Sequence, residues 1–211
     1  EFIEDYTADA LDDKYTPVQI QQWFRELATE TRDAVASIKS DLDNPSGESK
    51  SMILDFEMLA DLADYHAEKT NASLALSLYQ ADSRPEMLIT ARDHMEAAIT
   101  HWESLANKGS GTYHEDLVFG LGEESAHAGQ WSNRLPELEK DIAQLEDKIH
   151  NSSIDPDTPA PSLQQEFVTP KTTHRSSEVE IPLSWPQHTD LPVVIHIGGL
   201  VSPQSVKIHY R

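Results

Sequence analysis

Up to about His150, apolar side chains recur every three or four residues, the spacing typical of amphipathic helices. A first helix is predicted after Thr16-Pro17-Val18-Gln19, which offers a Thr N-cap, Pro in the first turn and Gln three residues after the cap. Asn44-Pro45-Ser46-Gly47 predicts its end. Its apolar stripe is Ile20, Phe24, Leu27, Thr31, Val35, Ile38 and Leu42.

Three further helices follow from the same spacing. The second is predicted from Glu48 to Tyr79, and the third runs to Gly109 from Ser83-Arg84-Pro85-Glu86, where Ser and Glu are spaced as a capping box. The fourth carries Leu135 to Ile149 as a regular stripe. An average spacing near 3.5 in all four favours an antiparallel four-helix bundle, with a tetratricopeptide-like stack as the rival arrangement.

The pattern changes after the helices. Residues 151–177 form a Pro-rich linker, which we expect to be extended and to touch the helices through Phe167 and Val168. Alternating apolar and polar residues then predict three short antiparallel strands within 178–211. Three strands do not close a sandwich, so we expect a partial, sandwich-like β-domain that residues outside this chain complete. The predicted domains are therefore a helical bundle at 1–150, the linker, and this β segment.

The net charge of the chain limits the kinds of partner that it is expected to bind. The chain has a net charge of −21, and residues 1–150 hold 31 Asp and Glu against 12 Lys and Arg, a net −19. Such a field repels nucleic acid and anionic membranes, so neither is expected as a partner. The chain contains no cysteine, which excludes disulfides and thiolate chemistry, and no apolar run long enough for a transmembrane helix.

Candidate chemistry concentrates between the third and fourth helices. The segment from Tyr113 to Trp131 is rich in aromatic, imidazole and carboxylate side chains, and loops between rigid helices often bind ligands. Three interpretations remain open: apolar residues that plug the bundle end, a surface for carbohydrate or another small polar ligand, and a metal site. The candidate ligand-binding residues are Tyr113, His114, Glu115, Asp116, His127 and Trp131.

No motif identifies catalysis. The chain has no Gly-x-Ser-x-Gly, no phosphate-cradling Gly-rich loop and no His-Glu-x-x-His or calcium-loop spacing. We therefore assign no catalytic residue, no metal ligand and no cofactor. His66, His94 and His101 lie beside the apolar stripes, where they either pack against the rim of the core or meet a ligand in a groove.

Five stretches of the helical region form a recognisable pattern: Tyr65–Lys69, Ala75–Tyr79, Ala97-Ala98-Ile99-x-x-Trp102, Tyr113–Gly120 and Trp131-x-x-x-Leu135-Pro136-x-Leu138-x-x-Asp141-Ile142. Through these stretches, residues 16–150 resemble helical regions of large bacterial carbohydrate-active proteins of the glycoside-hydrolase type. Just before the last helix, the chain has Gly129-Gln130-Trp131 where the resemblance leads us to expect Gly-His-Trp.

This resemblance implies a non-catalytic accessory module in a secreted or periplasmic protein. The module would brace the catalytic domain of the same parent protein and contact glycan through the Tyr113–Trp131 loop. Two alternatives stay open, a helical protein-interaction scaffold with an acidic surface and one wall of a glycosidase active site.

Overall fold

A computed structural model describes residues 2–8, 15–118, 128–163, 167, 177–180 and 194–197. The chain divides into two compact units, Glu1–Val168 and Thr169–Arg211. The described part is mainly helical. Its helices are α1 (Phe2–Thr7), α2 (Pro17–Asp41), α3 (Gly47–Asp82), α4 (Glu86–Gly109) and α5 (Leu135–Asn151).

Side-chain capping determines where two of the long helices begin. Thr16 caps α2: its Oγ1 accepts from the Gln19 N–H at 3.2 Å, while Gln19 Oε1 accepts from the Thr16 N–H at 2.9 Å. This is the capping box that the sequence predicts. Ser46 caps α3 in a similar way, with its Oγ accepting from the Ser49 N–H at 3.1 Å.

The capping box predicted at Ser83 and Glu86 is not formed. Helix α3 continues three residues beyond its predicted end, and Ser83 becomes its left-handed C-cap, with φ of 53° and its N–H donating to the Tyr79 carbonyl. Pro85 instead occupies the N-cap position of α4. The helix starts where expected, but Ser83 is used to end the previous one.

Helices α2 to α5 pack against one another in chain order, α1 packs on α3, and α3 and α4 share the largest interface. Contacts from Arg25 to Glu68 and from Lys39 to Glu57 show that α2 and α3 are antiparallel. The main core lies among α3, α4 and α5, where Met87, Leu88 and Ile89 are at most 1% exposed.

Much of the predicted α2 stripe is not buried. Val35 is 4% exposed and Phe24 is half-buried, but Leu27 is 55% exposed and Ile38 is 43% exposed. The reason is that α2 packs on α3 through small side chains, Ala28 against Ala60 and Ala63. The larger apolar residues beside that seam therefore lie outside it.

The beginning of the predicted linker lies against the helical unit. Thr90 Oγ1 donates to the Pro161 carbonyl at 3.0 Å, and Leu163 is buried. Phe167 is also buried, in ring contact with Phe2 and Tyr6 of α1, which confirms its predicted packing. Val168, the other predicted contact, lies outside the described residues.

In the second unit, β3 (Ser177–Glu180) pairs antiparallel with β4 (Val194–Ile197). Ser177 stands opposite Ile197, and Glu180 stands opposite Val194. The rest of the predicted β segment at 178–211, including its third strand, lies outside the described residues.

Candidate functional site

The two arms of the Tyr113–Trp131 loop are joined by a short pair of β-strands. Strand β1 (Leu117–Val118) pairs antiparallel with β2 (Ala128–Gly129). Gly129 has φ of +118°, and a Cβ there would lie 3.1 Å from Asn133 Oδ1, so glycine suits both the backbone and the space. Between the two strands, residues 119–127 are outside the described part of the chain.

Gln130 ties the two arms of this loop together. Its Nε2 donates to the Tyr113 carbonyl at 3.0 Å and also to the His114 carbonyl. Its own N–H donates to Asn133 Oδ1 at 2.8 Å. The residue that departs from the Gly-His-Trp pattern is therefore a structural link, for which an amide with two N–H donors is well suited.

Trp131 fastens the loop to α4. Its carbonyl accepts from Trp102 Nε1 at 2.8 Å, and its ring meets the Tyr113 ring edge-on at 5.3 Å between centroids. The ring also fills the space beside Gly109, where a Cβ would lie 2.7 Å from Trp131 Cζ3. Part of the Trp131 ring is thus occupied by contacts within the chain.

These contacts frame a cleft of about 560 Å³ beyond the end of α4. Its walls carry carboxylate, amide, hydroxyl and backbone groups, with one aromatic ring. The lining residues are Ser110, Gly111, Tyr113, Glu115, Asp116, Gly129, Gln130, Ser132 and Asn133.

The cleft brings together three of the six predicted ligand-binding residues, Tyr113, Glu115 and Asp116. His114 is exposed next to them and Trp131 supports the loop, but neither lines the cleft. His127 lies outside the described residues. Ser132 and Asn133 line the cleft without having been predicted, because their position depends on how the 3₁₀ turn at Trp131–Arg134 follows β2.

A second polar cluster, which the sequence analysis missed, joins α2 to α3. Arg25, Arg32 and Lys39 recur every seven residues on α2 and pair with carboxylates of α3. Arg32 reaches two of them, with Nη2 at 3.0 Å from Asp61 Oδ1 and Nη1 at 2.6 Å from Asp64 Oδ2. We call these pairs the ion-pair ladder.

Asp61 is the most buried acid of the ladder, at 3% exposure. Besides Arg32, it accepts from Ser104 Oγ at 2.8 Å and Lys108 Nζ at 2.6 Å, both on α4. Burial alone would raise the pKa of Asp61, but hydrogen bonds from Lys108, Ser104 and Arg32 outweigh it and lower the pKa below its ordinary value.

Glu68 repeats this arrangement two turns along α3. Its Oε1 accepts from Arg25 Nη2 at 2.6 Å, and its Oε2 lies 2.6 Å from His94 Nδ1 of α4. Burial would raise the pKa of Glu68, but the His94 hydrogen bond and the charge of Arg25 outweigh it, so the pKa is lowered. His94 is therefore partly buried against a neighbour, as the core-rim interpretation predicts.

The chemistry of these two carboxylates is structural. A general acid must hold a proton near neutral pH, whereas Asp61 and Glu68 are held ionised by their partners. Each clamps α3 to α2 on one side and to α4 on the other. The signal was present in the sequence: bases every seven residues on one helix face Glu57, Asp61, Asp64 and Glu68 on the next.

A second cleft of about 560 Å³ lies between α1 and α3. His66 and Lys69 line it, and Lys69 Nζ donates to Tyr65 Oη at 2.9 Å. Burial and the Lys69 charge lower the pKa of His66, which favours its neutral imidazole. The His66 ring also stacks on Phe24 at 5.5 Å, so contacts within the chain account for its position.

Within residues 2–8, 15–118 and 128–163, no group of three or more His, Asp or Glu side chains is placed to hold a metal ion. Every helix in the described part is too short or too polar to cross a lipid bilayer. Comparison of the chain with known protein families, characterised proteins and solved structures gives no match.

Proposed function

We propose that this chain is a non-catalytic helical accessory module of a bacterial carbohydrate-active protein, and that the cleft beyond α4 contacts glycan. The observation that carries the proposal is the composition of this cleft. It gathers two carboxylates, two amides, hydroxyl groups and one aromatic ring around a volume of about 560 Å³. Binding pockets use a few well-placed polar groups to orient a ligand of that size.

The polar groups suit a ligand with many hydroxyls. Each sugar hydroxyl both donates and accepts, and the carboxylates of Glu115 and Asp116 can accept two or more hydrogen bonds. Asn133 Oδ1 already accepts from the Gln130 N–H, which leaves the Asn133 amide N–H groups to donate. The Tyr113 ring supplies an apolar face of the kind that packs on a sugar ring.

Hydrogen bonds around the cleft favour binding because they fix the loop that carries the lining residues before a ligand arrives. Gln130 fixes the backbone at Tyr113 and His114, and Trp131 is fixed by Trp102. Such preorganisation reduces the entropy lost on binding. In this proposal Trp131 acts mainly by positioning Tyr113, while any contribution from His127 stays a prediction.

The proposal includes the architecture and setting of the module. Helices α2 to α5 form an antiparallel bundle that is followed by a sandwich-like β segment and braces the catalytic domain of the same parent protein. Antiparallel contacts between successive helices support the bundle. Polysaccharides are met outside the cytoplasm, so the parent protein would be secreted or periplasmic.

The alternative role as one wall of a glycosidase active site gains little from the buried carboxylates. Asp61 and Glu68 are engaged by Arg25, Arg32 and Lys108, and each has a lowered pKa. Retaining and inverting glycosidases both need one carboxyl group that carries a proton. Asp61 and Glu68 are therefore assigned a structural role, and the present proposal uses the cleft carboxylates Glu115 and Asp116 for binding.

The test is a glycan array with the full chain, followed by calorimetric titration of soluble polysaccharides that score on it. We expect binding, and we expect Asp116→Asn to weaken it about fivefold, the effect of one hydrogen bond. Glu139→Gln makes a matched change on an exposed residue of α5 and should leave the affinity unchanged. Failure of every polysaccharide to bind, or equal effects of the two substitutions, would refute the glycan contact.

A further inference from the structure

One side of the α2–α3 hairpin exposes a row of large apolar side chains. Their exposure ranges from 37% at Ile20 to 55% at Leu27 and Leu59. Contiguous apolar surface of this kind marks interaction sites more often than isolated exposed residues do. The residues that form this surface, which we call the apolar stripe, are Ile20, Leu27, Ile38, Met52, Phe56 and Leu59.

Helix geometry places the two halves of the stripe on the same side of the hairpin. Leu27 adjoins Ala28, and Leu59 adjoins Ala60, the small residues through which α2 and α3 touch. In an antiparallel pair of helices, the residue one position before the contact residue on each helix lies on the same side of the pair. The ion-pair ladder lies on the opposite side of the hairpin. Helix α4 packs on that side, where Lys108 contacts Asp61.

Acidic residues border the stripe on both helices. Glu30 and Asp41 stand three residues after Leu27 and Ile38 on α2, and Asp55 stands three residues after Met52 on α3. A step of three residues keeps side chains on neighbouring positions of the helix surface. All three acids are exposed.

Three of the five Lys and Arg residues of the hairpin lie on its other side. Arg25, Arg32 and Lys39 pair with α3 carboxylates in the ladder, on the other side of the hairpin. The stripe therefore combines apolar contact area with a negative border. A second copy of the chain would bring two such borders together, and an anionic membrane would be repelled by them.

We propose that the apolar stripe docks a basic amphipathic helix of another protein. The apolar face of that helix would lie between α2 and α3 over Leu27, Phe56 and Leu59, and its Lys or Arg residues would meet Glu30, Asp41 and Asp55. Helix-in-groove recognition uses apolar anchors at such spacings, and complementary charge adds rate and specificity. This docking does not depend on the glycan proposal, because it uses other residues at another place on the module.

The probe is a synthetic amphipathic helix of about 20 residues with Leu at alternating three- and four-residue spacing and Lys elsewhere, titrated into the full chain by fluorescence anisotropy. Its twin has Glu in place of every Lys. We expect the Lys peptide to bind and the Glu peptide not to bind. Phe56→Ser should weaken binding about tenfold, as the loss of a central apolar anchor does.

Any cationic peptide is attracted to a chain with net charge −21, so binding at the apolar stripe must be distinguished from this general attraction. Glu30→Lys on the border should weaken binding several-fold, whereas Glu139→Lys on α5 makes the same charge change away from the stripe and should change it much less. Equal effects of the two substitutions would overturn the proposal. So would sedimentation showing a dimer that Phe56→Ser dissociates, because a second copy would then be the occupant.

Discussion

The two sides of α3 differ in how much apolar packing joins them to their neighbours. Toward α4, apolar side chains interlock: Leu88 and Ile89 of α4 are at most 1% exposed, and Leu76 and Tyr79 of α3 pack against their cluster. Toward α2, the seam is made of alanines, and the ion-pair ladder spans it. The comparison shows that similar apolar spacing in a sequence produces two kinds of helix interface.

Side-chain size explains the difference. Ala28 is fully buried against Ala60 and Ala63, so the helix backbones approach closely at that seam. Close approach leaves Arg32 within reach of Asp61, while bulkier neighbours such as Leu27 lie beside the seam. The α2 seam therefore buries little apolar area, and we expect its stability to depend on the ladder.

The largest effect is expected in the apolar interface. Leu88→Ala removes a fully buried side chain and should lower the free energy of unfolding by about 3 kcal/mol, since a cavity is left among packed residues. Urea titration followed by circular dichroism measures the change. Val118→Ala, at a position that is 69% exposed, is the control and should change stability by less than about 0.5 kcal/mol.

The next largest effect is expected in the ladder. Asp61→Asn removes the charge that Arg32 and Lys108 share and should lower the free energy of unfolding by about 2 kcal/mol. The loss is moderated because Arg32 is 41% and Lys108 31% exposed, so both cations keep some solvent. The same urea titration applies, with Asp55→Asn as the exposed control on α3. A loss below about 0.5 kcal/mol would show that the ladder contributes little.

These two interfaces also show how far the sequence can be interpreted. Capping at Thr16 is local, so four residues were enough to predict it. The exposure of Leu27 and Ile38 was not predictable from spacing, because it depends on which neighbours a helix has. Cleft residues Tyr113, Glu115 and Asp116 were found by their density in one segment, whereas Ser132 and Asn133 join them only through the fold of Gly129 and Gln130.

Acid should remove the stability that Asp61 and Glu68 supply through their polar contacts with α2 and α4. The pKa values of Asp61 and Glu68 are lower in the folded chain, so their stabilisation is present above the unfolded values of about 4 and is lost as pH falls through the folded ones. Unfolding measured near neutral pH and at about pH 3 tests this.

The Asp61→Asn, Glu68→Gln double variant is the control for acidification. Protonation of the other carboxylates relieves repulsion in both proteins, so the difference between them isolates the two buried acids. We expect the double variant to lose less stability than the unchanged chain over the same pH interval. Equal losses would mean that neither acid is stabilised by its partners.

The smallest change in stability is expected from substitutions on the apolar stripe. Here an exposed and a buried leucine can be compared through the same substitution. Leu59→Ser changes a leucine that is 55% exposed, and Leu105→Ser makes the same substitution on α4 at 2% exposure. The first should change the free energy of unfolding by less than about 1 kcal/mol and the second by about 3 kcal/mol or more. Leu59 lies one position from the buried Ala60, so a large loss at Leu59 would mean that the stripe supports the fold itself. A negligible loss would show that Leu59 contributes little to the folding of the chain. Its exposed side chain would then be available for binding a partner at no cost in stability.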